Sequence, residues 1–229
     1  MPVRIEPGVN YPRLRQLAEE FTQHWSRLHA FYLDAVVGFD LVRGHVVAEQ
    51  ERARSHVRGT DLDTEEFQDT RMFTYRRIFS EKFCTSGIHW ATQGEVKARN
   101  KTYGENFTTL GQLCIVSFCA FWNDYLRREY VIAKGQLDPK EQDAEVVKER
   151  LRLHASDDLW GDLNYLRNSI VHKQGIANSE VARCKLIKWF NPRDLITITP
   201  ERMRTIFLAL LAYRNGLDKE QYPEFYIQF

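Results

Sequence analysis

Apolar residues recur along the first quarter of the chain at steps of three and four. Leu14, Leu17, Phe21, Trp25, Leu28, Tyr32, Ala35, Phe39, Val42 and Val46 form such a stripe. This spacing places them on one face of a helix, whereas a strand would alternate every second residue. No proline lies between residues 13 and 138, so nothing in the backbone forbids long helices there. Pro12 stands where a helix can begin. Gly38 and Gly44 are expected to weaken the later part of the stripe, and Gly59 to lie in a turn. The stripe reads as one face of a bundle core; an oligomerisation seam is the alternative.

Further along, Thr64 to Arg77 reads as a helix with Phe67, Met72, Phe73 and Tyr75 partly buried. Residues 85–106 hold Gly87, Gly94 and Gly104 among polar residues and read as a loop. From Phe107, with Thr108 or Thr109 as cap, a broad apolar face predicts a central helix. It contains Leu110, Leu113, Cys114, Phe118, Phe121, Trp122, Tyr125 and Leu126. Arg127 and Arg128 suit its later turns, and Gly135 its end. A polar helix follows from about Lys140 to Leu153. Asp157 and Asp158 open another that runs to about Lys173, with Gly175 as its stop. Glu180 to Trp189 is expected to be helical, Asp194 to Thr199 a short extended piece, and Pro200 to Arg214 the last helix. The aromatic tail from Tyr222 to Phe229 is expected to dock on its own chain or on a partner.

The pattern therefore predicts an all-α helical bundle with a long N-terminal helical region. Residues 1–106 form that region and its loop, and residues 107–229 the bundle, within one compact unit. At 229 residues the chain is long enough for a sizeable core. Charged residues make up 28% and hydrophobic residues 43%, which excludes wholesale disorder. Lys plus Arg number 32 against 31 Asp plus Glu, which argues against a polybasic binder but leaves room for a local patch. The first residues show no basic stretch followed by an apolar core, and no segment approaches the roughly 20 apolar residues that span a bilayer. No membrane partner and a cytoplasmic location are expected. Cys84, Cys114, Cys119 and Cys184 show no zinc-site spacing, so they read as buried reduced thiols. No P-loop, dinucleotide fingerprint or H-E-x-x-H motif is present, and neither a metal nor a cofactor is expected. His24 and His29 read as packing or solvated groups, and His89-Trp90 as part of a polar loop.

The chemically distinctive segment runs from Leu159 to His172. On a helix, Leu159, Leu163, Leu166 and Ile170 share one face. Asn164, Asn168 and His172 follow one another four apart as a polar stripe. Arg167 sits at the edge of the apolar face, from which a guanidinium can snorkel to the same groove. One helix edge thus offers a fixed cation, two amides and an imidazole. Arginine forks onto phosphate oxygens, and histidine moves protons near neutrality. By spacing alone, an exposed histidine near a helix end and an arginine covering the core edge explain the same residues.

The run Arg167-Asn168-Ser169-Ile170-Val171-His172, followed by Lys173-Gln174-Gly175, resembles the Arg-polar-x-x-x-His motif of the HEPN superfamily. The upstream segment Val116 to Leu126 is similar to the helix that packs beside the motif helix in that family. The resemblance covers about residues 107–214. It implies a helical bundle, a two-fold dimer with motif helices facing one groove, and a metal-independent endoribonuclease in a toxin or phage-defence role. RNA, a second copy and an antitoxin or other regulatory protein are the partners it implies. Arg167 would hold the phosphate, His172 would act as general acid or base, and Asn168 would support the pair. Asn164, Asp124 and Asn123 are candidate supporting residues; Asn123 aligns best where many members carry an acid. Gln174 occupies the position of a tyrosine modified in one toxin subgroup, so that mode of neutralisation is not expected. Lys173, Lys97, Arg99 and Lys101 are candidate RNA contacts. Residues 176–215 carry seven cations against three acids and could form a basic rim beside His172. A non-catalytic RNA-binding or protein-interaction module is the alternative the resemblance leaves open.

Overall fold

The computed structural model describes residues 8–73 and 91–221, with side chains as far as Arg214. The protein is all-α, as the periodicity predicts. Its helices are α1 (Tyr11–His56), α2 (Glu65–Thr70), α3 (Gln93–Asn100), α4 (Glu105–Phe121), α5 (Arg127–Ala133), α6 (Ala144–His154), α7 (Asp158–His172) and α8 (Pro200–Gln221). Among the described residues there is no strand; Met72 with Thr92 and Ile176 with Leu195 form isolated bridges. No helix of the described residues is long and apolar enough to cross a membrane.

The chain divides into two compact units. One takes the residues up to Ala30 and those from Gly111 onward; the other is Phe31–Leu110. The division thus differs from the boundary expected at residue 106, because the first turns of α1 pack with the C-terminal half. Arg13 bridges to Glu129 at 2.7 Å, and its guanidinium also donates to the Tyr125 hydroxyl at 2.9 Å. Trp25 donates its indole N–H to the Phe207 carbonyl at 3.0 Å.

The larger unit has an aromatic centre. The Trp122 and Trp160 rings stack with centroids 4.6 Å apart and planes within 4°. The edges of Tyr213 meet both, and Phe21 meets Trp160 edge-on. Such geometries add to the area that these large side chains bury. His24 packs rather than solvates: it stacks on Phe121 at 4.3 Å and meets the edge of Phe118. Its burial, and secondarily the nearby Arg27 charge, hold the imidazole below its ordinary titration range.

In the smaller unit, Val46, Phe73, Ala91 and Val96 form a core with Val42 against it. Phe39 meets Phe107 edge-on. α1 continues unbroken through Gly38 and Gly44, both of which face open space. A glycine costs a helix roughly 1 kcal/mol, too little to interrupt one anchored by packing on both sides. Gly59 ends the following turn with φ +81°, as expected. Leu33, Val37 and Leu41 lie opposite the packed face and are exposed. Of the stripe from Leu14 to Val46, Leu14, Leu17, Phe21, Tyr32 and Val46 are buried and the other five residues half-buried, and a second apolar stripe stands outside it.

Several local expectations change. Residues 93–100 are helical, because Thr92 and Glu95 form a reciprocal capping box. The Thr64–Arg77 helix shortens to α2; Thr64 caps it, but Phe67 and Met72 are exposed. α4 begins at Glu105, ahead of Thr108 and Thr109. α6 starts at Ala144 because the Asp143 side chain accepts from the N–H groups of Glu145 and Val146. Glu180 to Trp189 is not a helix: only a 3₁₀ turn forms, over Ser179–Arg183. Asp194 to Thr199 is extended only at the Ile176–Leu195 bridge. Tyr75, Cys84, Gly87, His89, Trp90 and the tail from Tyr222 lie outside the described residues.

The missing helix has a clear cause. The Asp162 carboxylate, 2% exposed, accepts from the backbone N–H groups of Lys185, Leu186 and Ile187 at 2.6–3.1 Å. A helix would turn those three donors away from it. Asp162→Ala leaves them unpaired and is expected to cost at least about 3 kcal/mol, read as a lowered urea midpoint. Asp162→Asn, which keeps one acceptor oxygen, should cost less; a full-stability Ala variant would exclude the role.

The His24 stack predicts a pH dependence. Because the folded imidazole binds its proton more weakly than the unfolded one, stability rises with pH between the two values. It should be intact above the unfolded value of about 6.5 and fall as the pH drops below it. Thermal melts at pH 7.5 and 5.5 check this: His24→Phe should flatten the difference.

Candidate functional site

α7 is built for definite ends. The Asp157 side chain accepts from the N–H groups of Leu159 and Trp160, and Asp158 places a negative charge in the first turn. Both suit the positive end of the helix dipole. At the other end, the N–H groups of Lys173 and Gly175 both reach the Ser169 carbonyl. Gln174 and Gly175 take positive φ, 52° and 80°. A side chain at Gly175 would press on Gln112, so the expected stop residue is required by conformation and by space.

Leu159, Trp160, Leu163 and Leu166 are buried, which fixes the rotation of α7. Ile170 is only half-buried. Asp162 and Ser169 join the buried face. Ser169 donates to the Tyr165 carbonyl and accepts from the Asn178 N–H at 3.1 Å. The sequence reading missed both residues. The signal was there: each shares a helix face with Leu159 and Leu166, where an acid must find donors.

The opposite side carries the predicted cluster. Arg167 donates through one amino nitrogen to Asn168 Oδ1 at 3.2 Å. The same nitrogen lies 3.5 Å from His172 Nε2, at the limit of a hydrogen bond. A guanidinium only donates, so a bond here draws on the Nε2 lone pair. His172 is exposed, while Arg167 and Asn168 are half-buried. Among the described residues, the other guanidinium nitrogens of Arg167 make no hydrogen bond. Its charge reaches the core: it opposes the burial that pushes the Cys119 thiol up to about 12.

The candidate supporting residues sort themselves. Trp122–Leu126 forms one wide π turn between α4 and α5. Within it, Trp122 faces Trp160, and Asn123 donates to Asn164 Oδ1 at 2.6 Å. Asp124 is exposed and takes no part in that contact. Asn123 and Asn164 thus meet one helical turn before Arg167 and Asn168. Lys173 is exposed beside His172. Cys114, Cys119 and Cys184 are free and buried, and burial pushes their thiols up to about 12, which disfavours the thiolate.

The basic candidates are partly committed elsewhere. Lys97 bridges to Asp69 at 2.7 Å and Glu65 at 2.8 Å and donates to Gln50. Its ammonium thus has three partners among the described residues. Arg99 is half-buried on α3, and Lys101 is exposed after it. In the stretch 176–215, Lys185 pairs with Asp158, and Arg183 lies over the Tyr165 ring. Arg202 lies over Phe190 and donates to the Thr197 carbonyl. Lys188, Arg193 and Arg204 are exposed.

Comparison with protein-family models, with curated proteins and with solved structures gave no match.

The Lys97 assignment can be checked by stability. Lys97→Met leaves the partly buried Asp69 carboxylate with Gln50 alone and is expected to cost about 1 kcal/mol. Lys101→Ala should stay within about 0.5 kcal/mol. Equal, negligible losses in denaturant titrations would return Lys97 to the pool of free surface cations.

Proposed function

We propose that the protein is a HEPN-type endoribonuclease that cleaves RNA without a metal, in a toxin or phage-defence role. The observation that carries the reading is the convergence of Arg167, Asn168 and His172 at one helix end, with Nε2 of His172 as acceptor. In this reaction an RNA 2′-hydroxyl attacks the adjacent phosphorus. Its proton passes to a base, and the bond from phosphorus to the 5′-oxygen breaks as that oxygen gains a proton. A cyclic phosphate and a 5′-hydroxyl result. Nε2 of His172, holding a lone pair, takes one of these two proton transfers. Arg167, through the guanidinium nitrogens not turned to Asn168, holds the phosphate and stabilises charge developing on its oxygens. Asn168 keeps the guanidinium at the imidazole.

One imidazole covers one transfer. A second copy, facing the first, would supply the other. Val171, Ile176 and Leu195 are exposed apolar residues close in sequence to the helix end and its bridge, and they support such a partner surface. Asn123, Asn164 and Lys173 would line the approach for RNA, and an antitoxin or other regulatory protein would act by covering it.

The test is cleavage of a mixed-sequence RNA by purified protein in excess chelator. Wild type should leave cyclic-phosphate ends, and Arg167→Ala and His172→Ala should each lose at least 100-fold in rate. Asn168→Ala should lose less. Equal cleavage by all variants would overturn the site. RNA binding without cleavage, retained in both variants, would favour a non-catalytic binding module.

A further inference from the structure

A second site lies away from the Arg167–His172 cluster and shares no residue with it. Between α5 and α6 is an open cavity of about 540 Å³, within the range of small-molecule sites. Arg127, Arg128, Lys148 and Arg152 line it, with Val147 and Leu151 as its apolar wall. No acidic residue lines it.

The two arginines from α5 stand apart from the other charged groups. Arg127 is half-buried, and burial lowers the stability of its charged form. Its hydrogen bonds go to the carbonyls of Ala155 and Leu151, at the C-terminal end of α6. Arg128 donates to the Glu141 carbonyl at 2.8 Å. Neither meets a carboxylate among the described residues, unlike Arg13 or Arg54. Carbonyl partners satisfy some of the five donors of each guanidinium, and the remaining donors have no partner among the described residues. Lys148 and Arg152 have partners, Glu145 and Glu149, but these are exposed pairs along one helix that are readily exchanged.

Four cations around one cavity suit a dianion. A phosphate monoester carries close to two negative charges near neutrality, where a phosphodiester or a carboxylate carries one. The apolar wall from Val147 and Leu151 lies in the same cavity and calls for more than a bare ion. We propose that this cavity binds a small phosphate monoester with an aromatic body, its phosphate held by Arg127 and Arg128 and its ring laid against Val147 and Leu151.

Isothermal titration of the full chain tests the assignment, with phenyl phosphate and adenosine 5′-monophosphate as probes. Inorganic phosphate, glucose 6-phosphate and adenosine serve as comparisons. Both aromatic monoesters should bind saturably, and at least tenfold more tightly than inorganic phosphate or glucose 6-phosphate. Adenosine should not bind. Arg128→Gln should weaken binding at least tenfold, and Val147→Asp should abolish it, while circular dichroism and melting temperature stay near wild type. Lys148→Gln, at the exposed rim of the cavity, should weaken binding several-fold and guards against a folding defect in the others. No saturable binding of either aromatic monoester at millimolar concentration would overturn the proposal. So would unchanged affinity in Arg128→Gln, or binding of an RNA oligonucleotide but of neither monoester.

Discussion

The arrangement of the larger unit depends on one buried carboxylate. Asp162 sits among apolar side chains of α7, where an ionised group is costly unless donors surround it. The donors come from three successive backbone N–H groups, of Lys185, Leu186 and Ile187. Two turns later Ser169 takes the Asn178 N–H. These two polar residues attach the segment after α7 to the helix that precedes it. Ile187, Phe190, Ile196 and Ile198 on that segment are buried as a result. Gln112 closes the other side by donating to the Ile196 carbonyl, and Gly111 leaves room for Ile198. An irregular stretch thus becomes a layer of core without regular secondary structure.

This attachment has a consequence for the chemistry. At about 100° per residue, Asp162, Leu166 and Ser169 lie on one side of α7. Asn164, Arg167, Asn168 and His172 fall across the other. Anchoring the first set sets the rotation of the second. Arg167 and His172 are therefore displayed by packing well away from them, and their contact needs no loop to hold it. The wide turn at Trp122–Leu126 acts from the neighbouring helix. It lets Trp122 stack on Trp160 and places Asn123 against Asn164.

What the sequence made legible follows from the range of the forces involved. The stripe from Leu14 to Val46, the Asp157 cap and the stop at Gly175 are local, and periodicity or a turn residue reports them directly. The Arg167–His172 cluster was legible too, because five residues on a helix fix a neighbourhood. The α3 helix was missed although Thr92 and Glu95 spell its cap, since the glycines around it outweighed a two-residue signal. The non-helical 184–189 segment was not legible from its own residues, which have ordinary helical patterning. Its conformation is set by Asp162, more than 20 residues earlier in the chain. The fate of Lys97 was hidden for the same reason: its partners Asp69 and Glu65 are distant in sequence.

Charge is distributed by the same logic, and this bears on where ligands go. The near-neutral total hides cations of two kinds. Arg13, Arg54 and Lys97 meet carboxylates and serve the fold. Among the described residues, Arg127, Arg128 and Arg167 hydrogen-bond only to carbonyls, an amide or an imidazole. Neutral partners orient a guanidinium without cancelling its charge, so the attraction for an anion is retained. In Arg167 that attraction stands beside an imidazole, the pairing that the proposed strand cleavage needs. In Arg127 and Arg128 it stands beside an apolar wall and no imidazole or carboxylate lines the cavity, which suits holding a ligand. The two clusters differ in what accompanies the cation, an imidazole in one and an apolar wall in the other, and the two proposals differ accordingly.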